Sequence, residues 1–218
     1  MSLSIADSTT GPMYPTYYVE PEGLTKDDCE NVKSSWAFIT DDTSPEYQNH
    51  KSETNVESAA TWFFDSFYGQ LFLVAPETRP LFKNSLQSQG KALVKMISVA
   101  LSVLDDNSTL VPALQNLAVL HTKRGVTCPQ YGIVGEVLLW TLKKVLGSEF
   151  TKPGVEESWL KLYCLMLKVM LPAAYAAELQ MASEKPEMSV EGHENTASET
   201  TLIGTETAAG ETEITADI

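Results

Sequence analysis

The sequence is short of positive charge, of cysteine and of histidine, and each shortage removes a class of function. Its 15 Lys and Arg stand against 29 Asp and Glu, a formal −14. That balance argues against nucleic acid or a membrane surface as partner, because phosphate backbones and anionic lipids both reward basic patches. The acidity is uneven: over 183–218 nine acids face the single base Lys185, giving −8 and leaving −6 for the body. Three cysteines, Cys29, Cys128 and Cys164, are odd in number and lack metal-site spacing, so they read as reduced thiols of a cytoplasmic protein. The start, MSLSIADSTTGP, has neither the basic region nor the apolar stretch of a secretory signal. Strand alternation, a Gly-rich phosphate loop, internal repeats and coiled-coil heptads are all missing. From about 181 onward there is no aromatic residue, and a disordered acidic tail over 181–218 is expected, since such a composition cannot bury enough apolar surface to offset its ordering entropy.

What the sequence has is helical periodicity. Residues 1–23 hold Pro12, Pro15 and Pro21 without any period and read as an extended or disordered lead-in to a domain over 24–180. Thr25 with Asp28 three residues later resembles a capping box, and Cys29, Val32 and Trp36 give that first helix an inward face. Residues 41–55, DDTSPEYQNHKSETN, read as a long polar insertion. A helix over 56–74 stacks Phe64, Phe67, Tyr68, Leu71 and Phe72 near one side, is broken by Pro76 and Pro80, and delivers Phe82 at a corner. Another, over 87–105, spaces Gln89, Leu93, Met96, Ile97, Ala100, Leu101 and Leu104 helically, and the next places Leu110, Leu114, Leu117 and His121 at intervals of three to four. Two long patterns close the body, with Thr151 and Pro153 as start signals for the last. The run LKLYCLMLKVMLPAAYAA is interrupted by Lys161 and Lys168 on one helical face, so it reads as a core helix and not as a membrane span. The expected fold class is all-α.

His121 is the informative residue, because a polar ring on an apolar face needs a reason. A neutral imidazole can bind iron through one nitrogen, so one inward His suffices to hold a haem. Tyr68 and Gln89 are further polar groups on apolar faces of other helices, with Phe82 as an aromatic wall between them.

In VKSSW, FYGQLF followed by PLF, QGKALVKMISVALSVLDD, LAVLHTKRGV, QYGIVGEVLLWTLKKVLG and SWLKLY the sequence resembles the globins, most closely the haem domains of flavohaemoglobins and related single-domain globins, over about 24–178. The resemblance implies a globin fold of six to eight helices around a haem b pocket. It makes His121 the iron ligand, Phe82 the corner phenylalanine against the porphyrin, Tyr68 and Gln89 distal hydrogen-bond donors to a gas ligand, and Leu93 the distal leucine. Tyr131 falls on a proximal tyrosine position, whereas the matching glutamate position falls on about Ala176, with Glu178 half a turn away. Three alternatives stay open. Tyr68 can be a core tyrosine bonded to a backbone carbonyl, the short corner after Phe82 can present Gln87 or Ser88 in place of Gln89, and Lys123 and Arg124 can pair with haem propionates or merely end a helix. His50 and His193 are poor second ligands, one in the polar insertion and one in the tail. The expected function is reversible oxygen binding, with nitric oxide and carbon monoxide as further gases. The rivals are a nitric oxide dioxygenase or peroxidase-like enzyme served by a separate reductase, and a gas sensor.

Overall fold

The computed structural model describes residues 11–83 and 85–184. Seven α-helices account for most of them: α1 (Lys26–Ile39), α2 (Pro45–Thr54), α3 (Ala59–Val74), α4 (Leu86–Ser102), α5 (Asn107–Lys123), α6 (Cys128–Leu146) and α7 (Val155–Ser183), with 3-10 turns at Pro76–Leu81 and Gly147–Thr151. No strand occurs among the described residues. The fold is the globin fold.

Local signals set the helix ends. The Thr25 hydroxyl accepts the Asp28 N–H at 3.1 Å while the Asp28 carboxylate accepts the Thr25 N–H at 3.0 Å, closing the capping box that the sequence suggested. The same carboxylate is buried, and it accepts from the Ser158 hydroxyl (2.9 Å) and the Lys161 ammonium (3.1 Å) on α7. One aspartate thus caps α1 and ties it to α7, which explains why a charged group lies inside. Nearby, the Trp159 indole donates to the Ser35 hydroxyl at 2.9 Å.

Helix α7 is long and apolar enough to cross a membrane by length and composition. Here it is the central core helix, burying Trp159, Leu162, Tyr163, Leu167 and Leu171 against α1, α5 and α6. It starts at Val155 after Gly154, whose φ of 82° favours a residue without Cβ, slightly later than Thr151 and Pro153 suggested. Lys161 and Lys168 lie on its solvent side, paired with Asp28 and Glu20.

Two segments differ from the sequence expectation. The insertion 41–55 contains helix α2, opened by Pro45 in its first turn and closed by Asn55 in the left-handed region. Its composition hid it: only Tyr47 is buried, so no apolar stripe reveals the period. Residues 11–23 are extended, as expected, but packed on the body. The Tyr17 hydroxyl donates to the Gly132 carbonyl at 2.9 Å, the Lys168 ammonium reaches the Pro21 carbonyl at 3.4 Å, and Pro21 is buried. Aromatic side chains and prolines supply that docking without any period. Residues 1–10 and the expected tail beyond 184 lie outside the described residues.

Candidate functional site

Helices α3 and α4 cross where Gly90 meets the Phe64 ring. A Cβ at position 90 would stand 2.3 Å from that ring, so only glycine permits the approach. The crossing fixes the register of α4, and with it the residue one position earlier. Gln89 is half-buried, while Gln87 and Ser88 are exposed, so among the three the fold turns Gln89 inward. One turn on, Leu93 is half-buried against the core.

Tyr68 lies one turn beyond Phe64 on α3 and is 5% exposed. Its ring meets Phe82 edge-on at 5.1 Å and stacks on Phe72 at 5.9 Å, and Phe72 in turn meets Phe82 at 5.4 Å. The 3-10 turn Pro76–Leu81 delivers Phe82 into this cage, with the Phe82 N–H bonded to the Arg79 carbonyl at 3.2 Å. Burial pushes the Tyr68 hydroxyl up to about 12, so it stays protonated and able to donate. That hydroxyl has no hydrogen-bond partner among the described residues, backbone carbonyls included.

On the other side, α5 packs along α7 through Leu110, Leu114, Ala118 and Thr122, a row spaced by four. Leu117 and His121 form the neighbouring row and are half-buried. The sequence pattern Leu110, Leu114, Leu117, His121 therefore merges two stripes: one is core and the other is left facing a site. The backbone around His121 is fixed, because its carbonyl accepts from both the Arg124 and Val126 N–H groups at 3.0 Å. Its imidazole has no hydrogen-bond partner among the described residues and stands 6.1 Å from the Tyr131 ring. Burial, and then the Arg124 charge, lower its proton affinity and keep the ring neutral, the form a metal requires.

The sequence reading left Glu178 half a turn from the expected glutamate position, and in the structure its carboxylate reaches the start of α6. The Glu178 carboxylate accepts the Cys128 N–H at 2.8 Å, occupying one of the unpaired donors at the start of α6. Three residues on, the Tyr131 hydroxyl is buried with no partner. Burial, then Cys128 and Glu178, raise its proton affinity, and the Cys128 thiol is likewise pushed up to about 12 by burial and Glu178. Ala176, the position named from the resemblance, is an alanine and can do none of this.

Helix α4 presents Leu93, Met96, Ile97 and Ala100, all half-buried, and an apolar cavity of about 70 Å³ lies beside Met96, Ile97 and Ala100, lined also by Leu117 and Leu138 but not by Tyr68 or His121. No cluster of three His, Cys, Asp or Glu able to hold a metal ion occurs among the described residues. A single neutral imidazole in apolar surroundings does not suit a bare ion, which needs several protein ligands. It suits an iron that brings four planar nitrogens of its own and a large apolar disc to bury, which is a haem. The residues fit the group.

The globin family model matches residues 65–170, a span holding Tyr68, Phe82, Gln89, Leu93, His121 and Tyr131. This segment is a globin domain. The chain is 30% identical over 128 residues to a flavohemoprotein of Vibrio cholerae, covering 57% of this chain and 32% of that one. It is 32% identical over 108 residues to a flavohemoprotein of Halalkalibacterium halodurans, covering 48% and 26%. The chain thus spans about a third or less of the length of these curated relatives. Among solved structures, a bacterial globin from Campylobacter jejuni shares the fold at 21% identity and a TM-score of 0.50, covering 73% of this chain and all of that one. An engineered carbene transferase from Rhodothermus marinus does so at 22% and 0.53, covering 73% and 96%. The family and its flavohemoprotein relatives imply haem as the cofactor.

Proposed function

We propose that this globin binds haem through His121 and holds oxygen reversibly beneath Tyr68 and Gln89. The observation that carries the proposal is Tyr68: a buried side chain caged by Phe72 and Phe82, whose hydroxyl is kept protonated and has no partner among the described residues. A donor held ready in such surroundings gains from a ligand that accepts its hydrogen bond. Bound haem would supply an iron able to take a diatomic gas. His121 would hold the metal, Phe82 and the apolar face of α4 would hold the ring plane, and Leu93 would limit the space available to the gas. Tyr68 and Gln89 would donate to a ligand of partial negative charge, each slowing its release. The haem is of the non-covalent b type in this reading, because no Cys-x-x-Cys-His stands before His121. Cytoplasmic placement is supported by three buried, unpaired thiols.

The test is oxygen dissociation from the reduced, haem-loaded protein. Tyr68→Phe is expected to speed release at least about tenfold, the effect of one hydrogen bond to a charged acceptor; an unchanged rate refutes the distal assignment.

A second reading, a nitric oxide dioxygenase served by a separate reductase, is favoured by Glu178 at the start of α6 beside the unpartnered Tyr131 hydroxyl. A carboxylate and a phenol behind an imidazole ligand raise its basicity and favour oxygen activation. Steady nitric oxide consumption with added reductase separates the readings, since a carrier turns over once.

A further inference from the structure

A cleft of about 350 Å³ opens between α2, α3 and α6. Trp62, Asp65 and Ser66 line it from one face of α3, at the i, i+3, i+4 spacing that puts side chains together. His50 and Thr54, four apart on α2, form the opposite wall, and Lys144 of α6 closes one side. The His50 imidazole lies flat on the Trp62 indole at 4.4 Å and 14°. Helix α2 buries only Tyr47, so apolar packing explains little of its placement, whereas this wall gives it a use.

Three groups in the cleft lack partners. The Asp65 carboxylate makes no hydrogen bond or ion pair among the described residues, and burial raises its proton affinity with no compensating charge. The Lys144 ammonium has no carboxylate within 4 Å; its contact is the Trp140 ring at 5.2 Å. The Trp62 indole N–H is buried and unsatisfied. Opposite charges that share a cleft without touching each other suit a guest carrying both charges at once.

We propose that this cleft binds a small free α-amino acid, its ammonium on Asp65 and its carboxylate on Lys144. The guest lies beside the His50 ring stacked on Trp62. Each charge of the guest then meets an opposite charge in a partly desolvated setting, where such contacts count for more than in open water. A simple anion would leave Asp65 repelling it, and a simple amine would leave Lys144 unused. The inference does not rest on the haem reading, since none of Tyr68, Phe82, Gln89, Leu93 and His121 lines the cleft.

The experiment is calorimetric titration of the haem-loaded full chain with L-alanine, L-glutamine and L-leucine, with N-acetyl-L-alanine and L-alaninamide as end-blocked controls, followed in parallel by tryptophan emission. Saturable binding of a free amino acid, weakened at least tenfold by blocking either end, is expected, with an emission change as the guest settles against the His50–Trp62 stack. Asp65→Asn is expected to abolish the preference over the N-acetyl form, and Lys144→Met the preference over the amide, both with unchanged melting and haem absorption. Both residues are exposed, so the variants are expected to fold. No saturable binding of any free amino acid up to about 10 mM, equal affinity for blocked forms, or unaltered selectivity in both variants would overturn the proposal.

Discussion

Helices α3 and α4 cross at Gly90 and both carry apolar faces, yet they use them differently. Helix α3 buries Ala59, Trp62, Phe63, Phe64, Phe67, Tyr68 and Leu71; α4 buries only Gly90 and Leu101 and leaves Leu93, Met96 and Ile97 half-covered. The first is a structural face covered by protein, which leaves the Tyr68 hydroxyl and the Trp62 N–H without partners among the described residues. The second is a face whose remaining apolar surface suits a flat apolar guest. The same division runs through α5, where the row Leu110, Leu114, Ala118, Thr122 is core and the row Leu117, His121 faces the site. Burial, more than hydrophobicity, separates what holds this fold from what it holds.

Substitutions on the two kinds of face should therefore fail differently. The largest contrast is expected from His121→Ala, which should keep the helical circular dichroism but lose the haem absorption band or make it depend on added imidazole; normal haem retention would contradict the ligand assignment. Next, Leu71→Ala, at 1% exposure, should cost about 3 kcal/mol in denaturant unfolding, whereas Leu93→Ala should cost about 1 kcal/mol without haem. Equal costs would erase the distinction between the faces. Gly90→Ala forces a methyl group into the Phe64 ring and should cost about 2 kcal/mol. It should also shift Gln89, read as an altered oxygen release rate.

A pH-dependent effect of similar size belongs to the structural side. Burial would raise the Asp28 carboxyl, but bonds from Thr25, Lys161 and Ser158 outweigh it and hold the group at about 2 against an ordinary 3.8. A carboxyl held low in the folded state stabilises fully above its unfolded value, and that contribution fades as pH falls from about 4 toward 2. Asp28→Asn should lose about 2 kcal/mol at neutral pH and flatten this acid limb of the stability curve. A limb unchanged by the substitution would assign acid sensitivity to other carboxylates.

Much of this was legible in sequence. The helix expected over 56–74 is α3 at Ala59–Val74, the one over 87–105 is α4 at Leu86–Ser102, and the Thr25 capping box formed as written. These signals are local: period, cap and proline act within a few residues. Helix α2 escaped because a polar helix has no stripe, and the docking of residues 11–23 escaped because three tyrosines and a buried proline make a contact without a repeat. Gly90 reads in sequence as a weak point of a helix and becomes, against Phe64, the contact that sets the register of Gln89.

By itself the sequence determined the all-α class, the order of the helices and the unusual inward His121, since these depend on spacing along the chain. The tertiary structure decided which residues lack partners. It left the Tyr68 hydroxyl free within its aromatic cage, carried Glu178 to the Cys128 N–H, and set Asp65 and Lys144 in one cleft without joining them. Hydrogen-bond satisfaction and burial are properties of groups far apart in the chain, and only packing brings them together.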